Sequence, residues 1–182
     1  MVHYRRNRLA GGTYFFTVTL RDRRSDVLVR HVGLLLEAFR SVRVERPFTI
    51  DAIVILPEHL HTVWTLPEGD ADYSGRWRAI KSRFTHALRA TGIPLNCDKR
   101  GEYALWQRRF WEHTIRDASD YAHHVDYCHW NPIKHGLVQH LADRSYSSFH
   151  RYVRHGLLSP DWAGDIAEPE MEYGELCPSD DQ

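Results

Sequence analysis

Two strand-like segments separated by only two residues constrain the fold of this chain more than any other feature. Residues 48–56 and 59–66 are rich in β-branched and aromatic side chains, and Pro57 and Glu58 lie between them. Because proline presets the backbone for a tight turn, the two strands are predicted to be antiparallel neighbours. This region therefore predicts part of an antiparallel sheet.

The order of the other segments predicts the fold class. They are residues 13–20 (strand), 28–46 (helix), 74–89 (helix), 106–115 (strand) and 117–130 (helix). Asp117 is the expected N-cap of the last helix. Because Pro132 disfavours helical dihedrals in the residue before it, that helix is expected to end or kink near Asn131. The order β-α-β-β-α-β-α predicts an α+β fold, a mainly antiparallel sheet with helices packed on it.

The net charge of zero conceals an uneven distribution along the chain. Residues 1–160 carry a net charge of +8, residues 161–182 carry −8, and arginine supplies 21 of the 24 cations. The planar guanidinium matches phosphate geometry, so an arginine-rich body favours a polyanionic partner such as nucleic acid. A length of 182 residues suits one domain. We predict a domain over residues 1–160 and an acidic, flexible C-terminal tail over residues 161–182.

The sequence argues against a secreted or membrane protein. No apolar run reaches the roughly 18 residues of a membrane span, and no apolar core of a signal peptide follows the basic N-terminus. The three cysteines, Cys97, Cys128 and Cys177, are odd in number and far apart, which fits neither a disulfide framework nor a cysteine zinc site. We therefore expect a cytoplasmic protein without a membrane partner.

A His-x-His pair in the third predicted strand is a candidate metal site. Side chains at positions i and i+2 of a strand lie on the same face, so His59 and His61 can converge on one ion. Leu60 then lies on the opposite face. The chain has 13 histidines, so such a pair also arises by chance, and two surface histidines on an edge strand are the alternative.

The last predicted helix supplies a candidate nucleophile. His123, Tyr127 and Asn131 are spaced four residues apart, which is typical of side chains on one helical face. A tyrosine can attack phosphorus and form an ester that conserves bond energy, but its phenol, with an ordinary pKa of about 10, needs help from a metal or a base. The side-chain oxygen of Asn131 can complete a metal site. A half-buried core aromatic is the alternative interpretation of Tyr127.

Several motifs that occur in order make the chain resemble a known family. They are LPEHLH (56–61), WTLPEGD (64–70), Arg76-Trp77, Ile80-Lys81, FWEH (110–113), HVDY (124–127) and NPIKHG (131–136), with Tyr4-Arg5-Arg6, Gly11-Gly12 and DWAGD (161–165) towards the ends. Together they resemble the REP-associated tyrosine transposases, where REP denotes a repetitive extragenic palindrome. These are domesticated relatives of the single-tyrosine insertion-sequence transposases of the HUH (histidine–hydrophobic–histidine) type. The resemblance covers most of residues 4–165, and the loop over residues 91–102 departs from it by being longer.

The resemblance implies a fold, a site and a reaction. The fold is a ferredoxin-like or RRM-like sheet with helices on one face. His59 and His61 would be ligands of Mg²⁺ or Mn²⁺ on a central strand, Asn131 a third ligand, and Tyr127 the nucleophile. The reaction would cleave and rejoin single-stranded DNA at REP hairpins flanked by a tetranucleotide, through a 5′-phosphotyrosine. The resemblance also favours a monomer, with a dimer as the alternative because related insertion-sequence enzymes work as dimers. We expect the protein to be associated with the nucleoid when bound to DNA.

Cationic side chains suit such a substrate. An N-terminal arm, the helix over residues 74–89 and the aromatic segment near residues 106–111 can contact phosphates and bases. The expected DNA contacts are Tyr4, Arg5, Arg6, Arg8, Arg76, Arg78, Lys81, Arg83, Arg108, Arg109 and Lys134.

Two other features are not expected to contact DNA directly through their charge or are open in role. The aromatic residues Trp77, Phe110 and Trp111 are expected in the core. The acidic tail is either a solubilising segment or one that covers the DNA-binding face.

Two other functions remain open from the residues alone. One is a transposase-derived protein that binds DNA hairpins without catalysis, which predicts binding but no covalent adduct. The other is a metal-dependent hydrolase that uses His59, His61 and a third histidine such as His113 or His123. It predicts a free 5′-phosphate and no requirement for Tyr127. We favour the tyrosine transesterase because it uses both histidines, the tyrosine and the asparagine together.

Overall fold

A four-stranded antiparallel sheet forms the centre of the fold. The computed structural model describes residues 7–97, 101, 103–163 and 173–174. The strands are β1 (Thr13–Thr19), β2 (Thr49–Ile55), β3 (His59–Thr65) and β4 (Trp111–Thr114). Their spatial order is β2-β3-β1-β4, and all neighbours are antiparallel. The predicted α+β, ferredoxin-like class is confirmed, and the predicted hairpin is the β2–β3 pair.

Helices cover both faces of this sheet. They are α1 (Val27–Arg30), α2 (Val32–Glu45), α3 (Tyr73–Ala90), α4 (Ala118–Lys134) and α5 (Phe149–Arg154). On one face α2 and α3 pack against the sheet, and Trp64 stacks on Trp77 with ring centroids 4.2 Å apart. On the other face Val125 and Cys128 of α4 pack against side chains such as Phe15. The expectation that helices lie on one face is therefore wrong, because α4 covers the second face.

The two central strands are buried on both sides as a consequence. In β1 every residue after Thr13 is buried, and in β3 every residue before Thr65 is buried. A strand that is covered on both faces usually has a nearly continuous apolar sequence. Polar side chains within such a strand need hydrogen-bond partners inside the protein. The histidines of β3 therefore lie in the interior of the protein.

Two predicted boundaries differ from the observed ones. The predicted helix over residues 28–46 is divided at His31, whose φ of −117° and ψ of 33° depart from helical values. The predicted strand over residues 106–115 forms ladder bonds only from Trp111 to Thr114. Trp106 makes an isolated bridge to Leu20 at the end of β1. Its ring packs on Phe84 of α3, so packing rather than strand pairing explains the aromatic content of this segment.

Only part of the predicted C-terminal tail belongs to the described residues. Trp162 stacks on Phe149 with ring centroids 6.3 Å apart, and Tyr173 is buried. The predicted flexibility of the remainder falls on residues 164–172 and 175–182, outside the described residues, and the domain boundary at residue 160 stays a prediction. In the described part of the chain, no helix has the length and apolarity to cross a membrane.

Candidate active site

Two histidines lie side by side in the interior of the sheet. His59 and His61 belong to β3 and are both buried. Their side chains share one face of the sheet, as their spacing predicts, and the ring centroids are 4.8 Å apart. Thr19 and Thr17 of β1 lie opposite them. Because β3 is a central strand, the interpretation as surface histidines on an edge strand does not apply.

The carboxylate of Glu58 orients the first imidazole. Glu58 Oε1 lies 2.9 Å from His59 Nδ1 and 3.6 Å from the guanidinium of Arg23. Burial raises the pKa of Glu58, but hydrogen bonds, chiefly the one with His59, together with the nearby Arg23 charge outweigh it and bring the pKa below its ordinary value. An ionised carboxylate only accepts, so Nδ1 donates and Nε2 keeps the lone pair. His59 Nε2 is buried without a hydrogen-bond partner among the described residues, which suits a metal ligand.

The hydroxyl of Thr17 orients the second imidazole. Thr17 Oγ1 donates to the backbone oxygen of Tyr173 at 2.6 Å and lies 2.8 Å from His61 Nδ1. A hydroxyl has one hydrogen and a carbonyl oxygen only accepts, so His61 Nδ1 donates to Oγ1. His61 Nε2 therefore carries the lone pair. Both histidines have the same tautomer, each fixed by a neighbour, as is usual for imidazoles that bind a metal.

The candidate nucleophile faces this pair from α4. Tyr127 is fully buried, and its ring centroid lies 5.3 Å from that of His61. Lys134 Nζ donates to Tyr127 Oη at 2.8 Å. The Tyr127 ring stacks on Tyr173 with centroids 3.6 Å apart and 12° between the planes. The phenol oxygen thus contacts a cation beside the histidine pair, which a purely structural core aromatic does not require.

Helix α4 continues past Pro132 to Lys134, so of the two expected outcomes near Asn131, an end or a kink, the end is wrong. Proline removes one backbone donor, but the last turn is closed by other bonds. The amides of residues 135–137 donate to the carbonyls of residues 131–133 over 2.8 to 3.0 Å. Gly136 has a φ of 64°, which completes a Schellman motif. Asn131 consequently lies inside the helix and is fully buried.

The buried face of α4 differs from the predicted one at its first turns. His123 is exposed, whereas Tyr127 is buried. Each four-residue step overshoots a full turn by about 40°, so His123 and Asn131 are rotated apart around the helix. His124 is the buried histidine, with its ring centroid 4.9 Å from that of Phe15. The position of His123 gives no support to a hydrolase that would use it with the histidine pair.

A second polar cluster connects β4 to the start of α4. His113 Nε2 lies 2.8 Å from Asp120 Oδ2, and His124 Nδ1 lies 2.7 Å from the backbone oxygen of Asp120. The two imidazoles stack with centroids 4.5 Å apart. Possible ligand atoms of these three residues lie within 4.8 Å of one another. Arg116 Nε also donates to Asp120 Oδ2 at 3.1 Å, so this carboxylate is already bonded within the protein.

A histidine that the sequence motifs did not single out lies beside the pair formed by His59 and His61. His135 follows the last residue of α4, and its ring centroid is 5.1 Å from that of His59. The sequence could have indicated His135, because it lies in the NPIKHG motif four residues after Asn131, which is about one helical turn further on. His113, proposed as a third ligand for a hydrolase, belongs instead to the cluster around Asp120.

The predicted DNA contacts divide by their surroundings. The exposed ones are Arg8, Arg78, Arg108, Arg109 and Lys134. Tyr4, Arg5 and Arg6 lie outside the described residues.

Two of the predicted core aromatics, Trp77 and Phe110, pack in the large cluster between the sheet and α3. Trp111 packs on the other face, against Phe15.

Besides Lys134, which bonds to Tyr127, three predicted DNA contacts have partners within the protein. Arg76 is buried, and its guanidinium donates to Asp70 Oδ2 at 2.6 Å and to three backbone carbonyls. Because these bonds occupy its nitrogens, we correct the assignment of Arg76 from a DNA contact to a structural residue. Lys81 donates to a backbone carbonyl at 3.0 Å, and Arg83 donates to Glu45 at 2.5 Å. Both of these are only partly buried and remain proposals for DNA contact.

A buried histidine pair on the central strand of a ferredoxin-like sheet, faced by a tyrosine from a covering helix, is the arrangement that the resemblance to the single-tyrosine HUH transposases implies. The chain is 51% identical to the REP-associated tyrosine transposase of Escherichia coli strain K12, over 92% of this chain and 94% of that protein. It is 42% identical to a Haemophilus influenzae protein named for the same family, over 91% of this chain and 95% of that one.

A solved structure agrees with these relatives. It is the structure of a REP-associated tyrosine transposase bound to a REP hairpin, and it matches with a TM-score of 0.85 and 49% identity. The match covers 98% of this chain and all of the other one. No family model matches the chain. The protein belongs to the REP-associated tyrosine transposases, which confirms the resemblance seen in its sequence motifs.

Proposed function

We propose that this protein is a metal-dependent endonuclease and strand transferase that acts on REP-type DNA hairpins through a 5′-phosphotyrosine intermediate. The observation that carries the proposal is the position of Tyr127, buried beside His61, with an ammonium group on its oxygen. A tyrosine in this environment can serve as a nucleophile towards phosphorus. A protein that only binds DNA would not require this geometry.

The residues fit a divalent cation. His59, His61 and Asn131 would hold Mg²⁺ or Mn²⁺, and the fixed tautomers make the two Nε2 atoms the ligands. Two nitrogens and one amide oxygen leave coordination positions for substrate oxygens, unlike a closed structural zinc site. When bound, the ion supplies Lewis-acid polarisation of the scissile phosphate.

The proposed reaction is a transesterification. Tyr127 Oη attacks the phosphorus, the bond from phosphorus to the 3′-oxygen breaks, and a 5′-phosphotyrosine forms. The phenol loses its proton, and the departing 3′-oxygen gains one, so the products are a covalent adduct and a 3′-hydroxyl. Attack by another 3′-hydroxyl on the phosphotyrosine rejoins a strand. One ester bond replaces another in each direction, so no external energy source is needed.

The substrate assignment follows from the relatives and from charge. The related structure holds a REP hairpin, and this chain has exposed cations at Arg8, Arg78, Arg108 and Arg109. Such side chains can bind phosphates along a hairpin and its single-stranded flank. We propose that the protein acts as a monomer on chromosomal REP hairpins in the cytoplasm.

The test is a search for a covalent adduct. End-labelled REP hairpin DNA with its flanks is mixed with the protein in Mn²⁺ or EDTA, and species that survive SDS are resolved on a denaturing gel. We expect a Mn²⁺-dependent adduct that is absent from Tyr127→Phe and retained in Tyr146→Phe, a control that removes the hydroxyl of a partly exposed tyrosine. Hairpin binding without an adduct would favour the non-catalytic alternative. An adduct in Tyr127→Phe would exclude Tyr127 as the nucleophile.

A further inference from the structure

Lys134 contacts the nucleophile itself. Lys134 Nζ donates to Tyr127 Oη at 2.8 Å and lies 4.9 Å from the centroid of the Tyr127 ring. An ammonium group has three donors and no acceptor, so the tyrosine oxygen accepts this bond. The sequence analysis placed this lysine among residues that bind DNA phosphates. We propose instead that Lys134 is a second catalytic residue, which stabilises negative charge on Tyr127 Oη during cleavage and rejoining.

The backbone of α4 holds Lys134 in this position. Lys134 follows Tyr127 by seven residues, which is two helical turns on the same face. It is the last residue of α4, and the Schellman motif around Gly136 closes the turn that contains it. A terminal turn without such bonds tends to fray. The NPIKHG motif therefore positions both the amide of Asn131 and the ammonium of Lys134 relative to the tyrosine.

A cation at this oxygen would assist the chemistry in both directions. In cleavage, Tyr127 Oη loses its proton as its bond to phosphorus forms, and an adjacent positive charge favours the anionic oxygen. In rejoining, the bond from Tyr127 Oη to phosphorus breaks and the oxygen departs with the electron pair. A donor already placed at the point where charge develops stabilises the transition state. Lys134 fulfils this role without transferring a proton.

The inference rests on the proposed function, and its test separates chemistry from binding. Single-turnover formation of the adduct is measured with excess protein in Mn²⁺ for Lys134→Met, Lys134→Arg and the wild type. Binding is measured in parallel, across salt concentrations, to a hairpin stem that lacks the scissile flank. The matched control is Arg40→Met, which removes an exposed cation from α2 on the opposite face of the sheet.

We expect Lys134→Met to form the adduct about 100- to 1,000-fold more slowly, the usual cost of removing one charge-stabilising donor. Lys134→Arg should keep part of the rate, and Arg40→Met all of it. Stem affinity and its salt dependence should be unchanged in Lys134→Met. Replacing Tyr127 by 3,5-difluorotyrosine in the Lys134→Met background should restore part of the rate, because a more acidic phenol needs less stabilisation. A merely structural role for Lys134 would not produce that rescue.

Three results would overturn the inference. Wild-type rates in Lys134→Met would show that the ammonium does not assist the reaction. Weaker stem binding, with a salt slope reduced by about one, would make Lys134 a phosphate contact instead. If the wild type itself forms no adduct, the proposed function fails and this inference fails with it. That outcome is distinct from the first, in which the wild type reacts and the lysine proves dispensable.

Discussion

His59 and His61 each have one ring nitrogen bonded to a neighbouring side chain that takes no part in the proposed reaction. Glu58 and Thr17 accept from the two Nδ1 atoms, and these bonds decide which nitrogen can bind a metal. The histidine pair was predictable because strand spacing alone places the two imidazoles on one face. Thr17 was not, because it lies 44 residues away in sequence from its partner and meets it only when β1 pairs with β3.

The bond from His59 to Glu58 makes a prediction about metal affinity. We expect Glu58→Ala to weaken Mn²⁺ binding about 10- to 100-fold, because the imidazole loses the partner that fixes its tautomer and orientation. Glu58→Gln, which keeps an acceptor oxygen, should lose less. Mn²⁺ affinity is measured by calorimetric titration, with Glu37→Ala on the exposed side of α2 as the control. Unchanged affinity in Glu58→Ala would contradict the assigned role.

At the scale of elements, α4 carries most of the candidate site. Its N-cap was predicted correctly, since the Asp117 side chain accepts from the backbone amide of Asp120 at 2.9 Å. Its C-terminal end was predicted wrongly. Proline disfavours helical dihedrals in the preceding residue, Asn131, but the backbone hydrogen bonds from residues 135–137 outweigh that preference and extend the helix to Lys134. Local rules identify a helix and its start, but the burial of Asn131 depends on packing against the sheet, which a single sequence does not reveal.

The connection between β4 and α4 makes a prediction about acid stability. Burial raises the pKa of Asp120, but hydrogen bonds from His113 and Arg116 hold it well below its ordinary value of 3.8. A carboxyl group with a lowered folded-state pKa stabilises the protein above that ordinary value, and the contribution is lost as the pH falls below it. We expect Asp120→Asn to lower the free energy of unfolding by about 2 kcal/mol at pH 7, as for buried bonds to a charged group.

Urea denaturation at pH 7 and at pH 3 checks this expectation. The difference between wild type and Asp120→Asn should shrink at pH 3, because part of the wild-type stabilisation is then lost. Asp117→Asn is a useful comparison, because asparagine is an equally good N-cap and the cap should survive the change. An equal difference at both pH values would show that the charge of Asp120 does not contribute.

At the scale of the whole molecule, a part of the acidic tail lies on the candidate site. Tyr173 is buried and stacks on Tyr127, and its backbone oxygen accepts from Thr17. A Cβ atom on Gly174 would lie 2.4 Å from Trp111, so the backbone approaches this ring as closely as only glycine allows. The charge distribution left two roles open for the tail, a solubilising segment or a cover over the DNA-binding face. The contact with Tyr127 is aromatic, and no charge pattern could have indicated it.

These contacts make a prediction about inhibition by the tail. We expect Tyr173→Ala, and a chain ending at Gly164, to form the hairpin adduct several-fold faster than the wild type, because both uncover Tyr127. If charge also contributes, truncation will raise hairpin affinity at low salt and Tyr173→Ala will not. Adduct rates equal to that of the wild type in both variants would show that the tail does not restrain the reaction.

The central claim is that Tyr127 becomes covalently bound to the 5′ end of cleaved DNA. The most direct measurement is mass spectrometry of the trapped adduct after digestion with protease and nuclease. We expect a single modified peptide in which Tyr127 carries a nucleotide through its 5′-phosphate, with a free 3′-hydroxyl on the released strand. A nucleotide on another residue, or cleaved DNA with a free 5′-phosphate and unmodified protein, would contradict it.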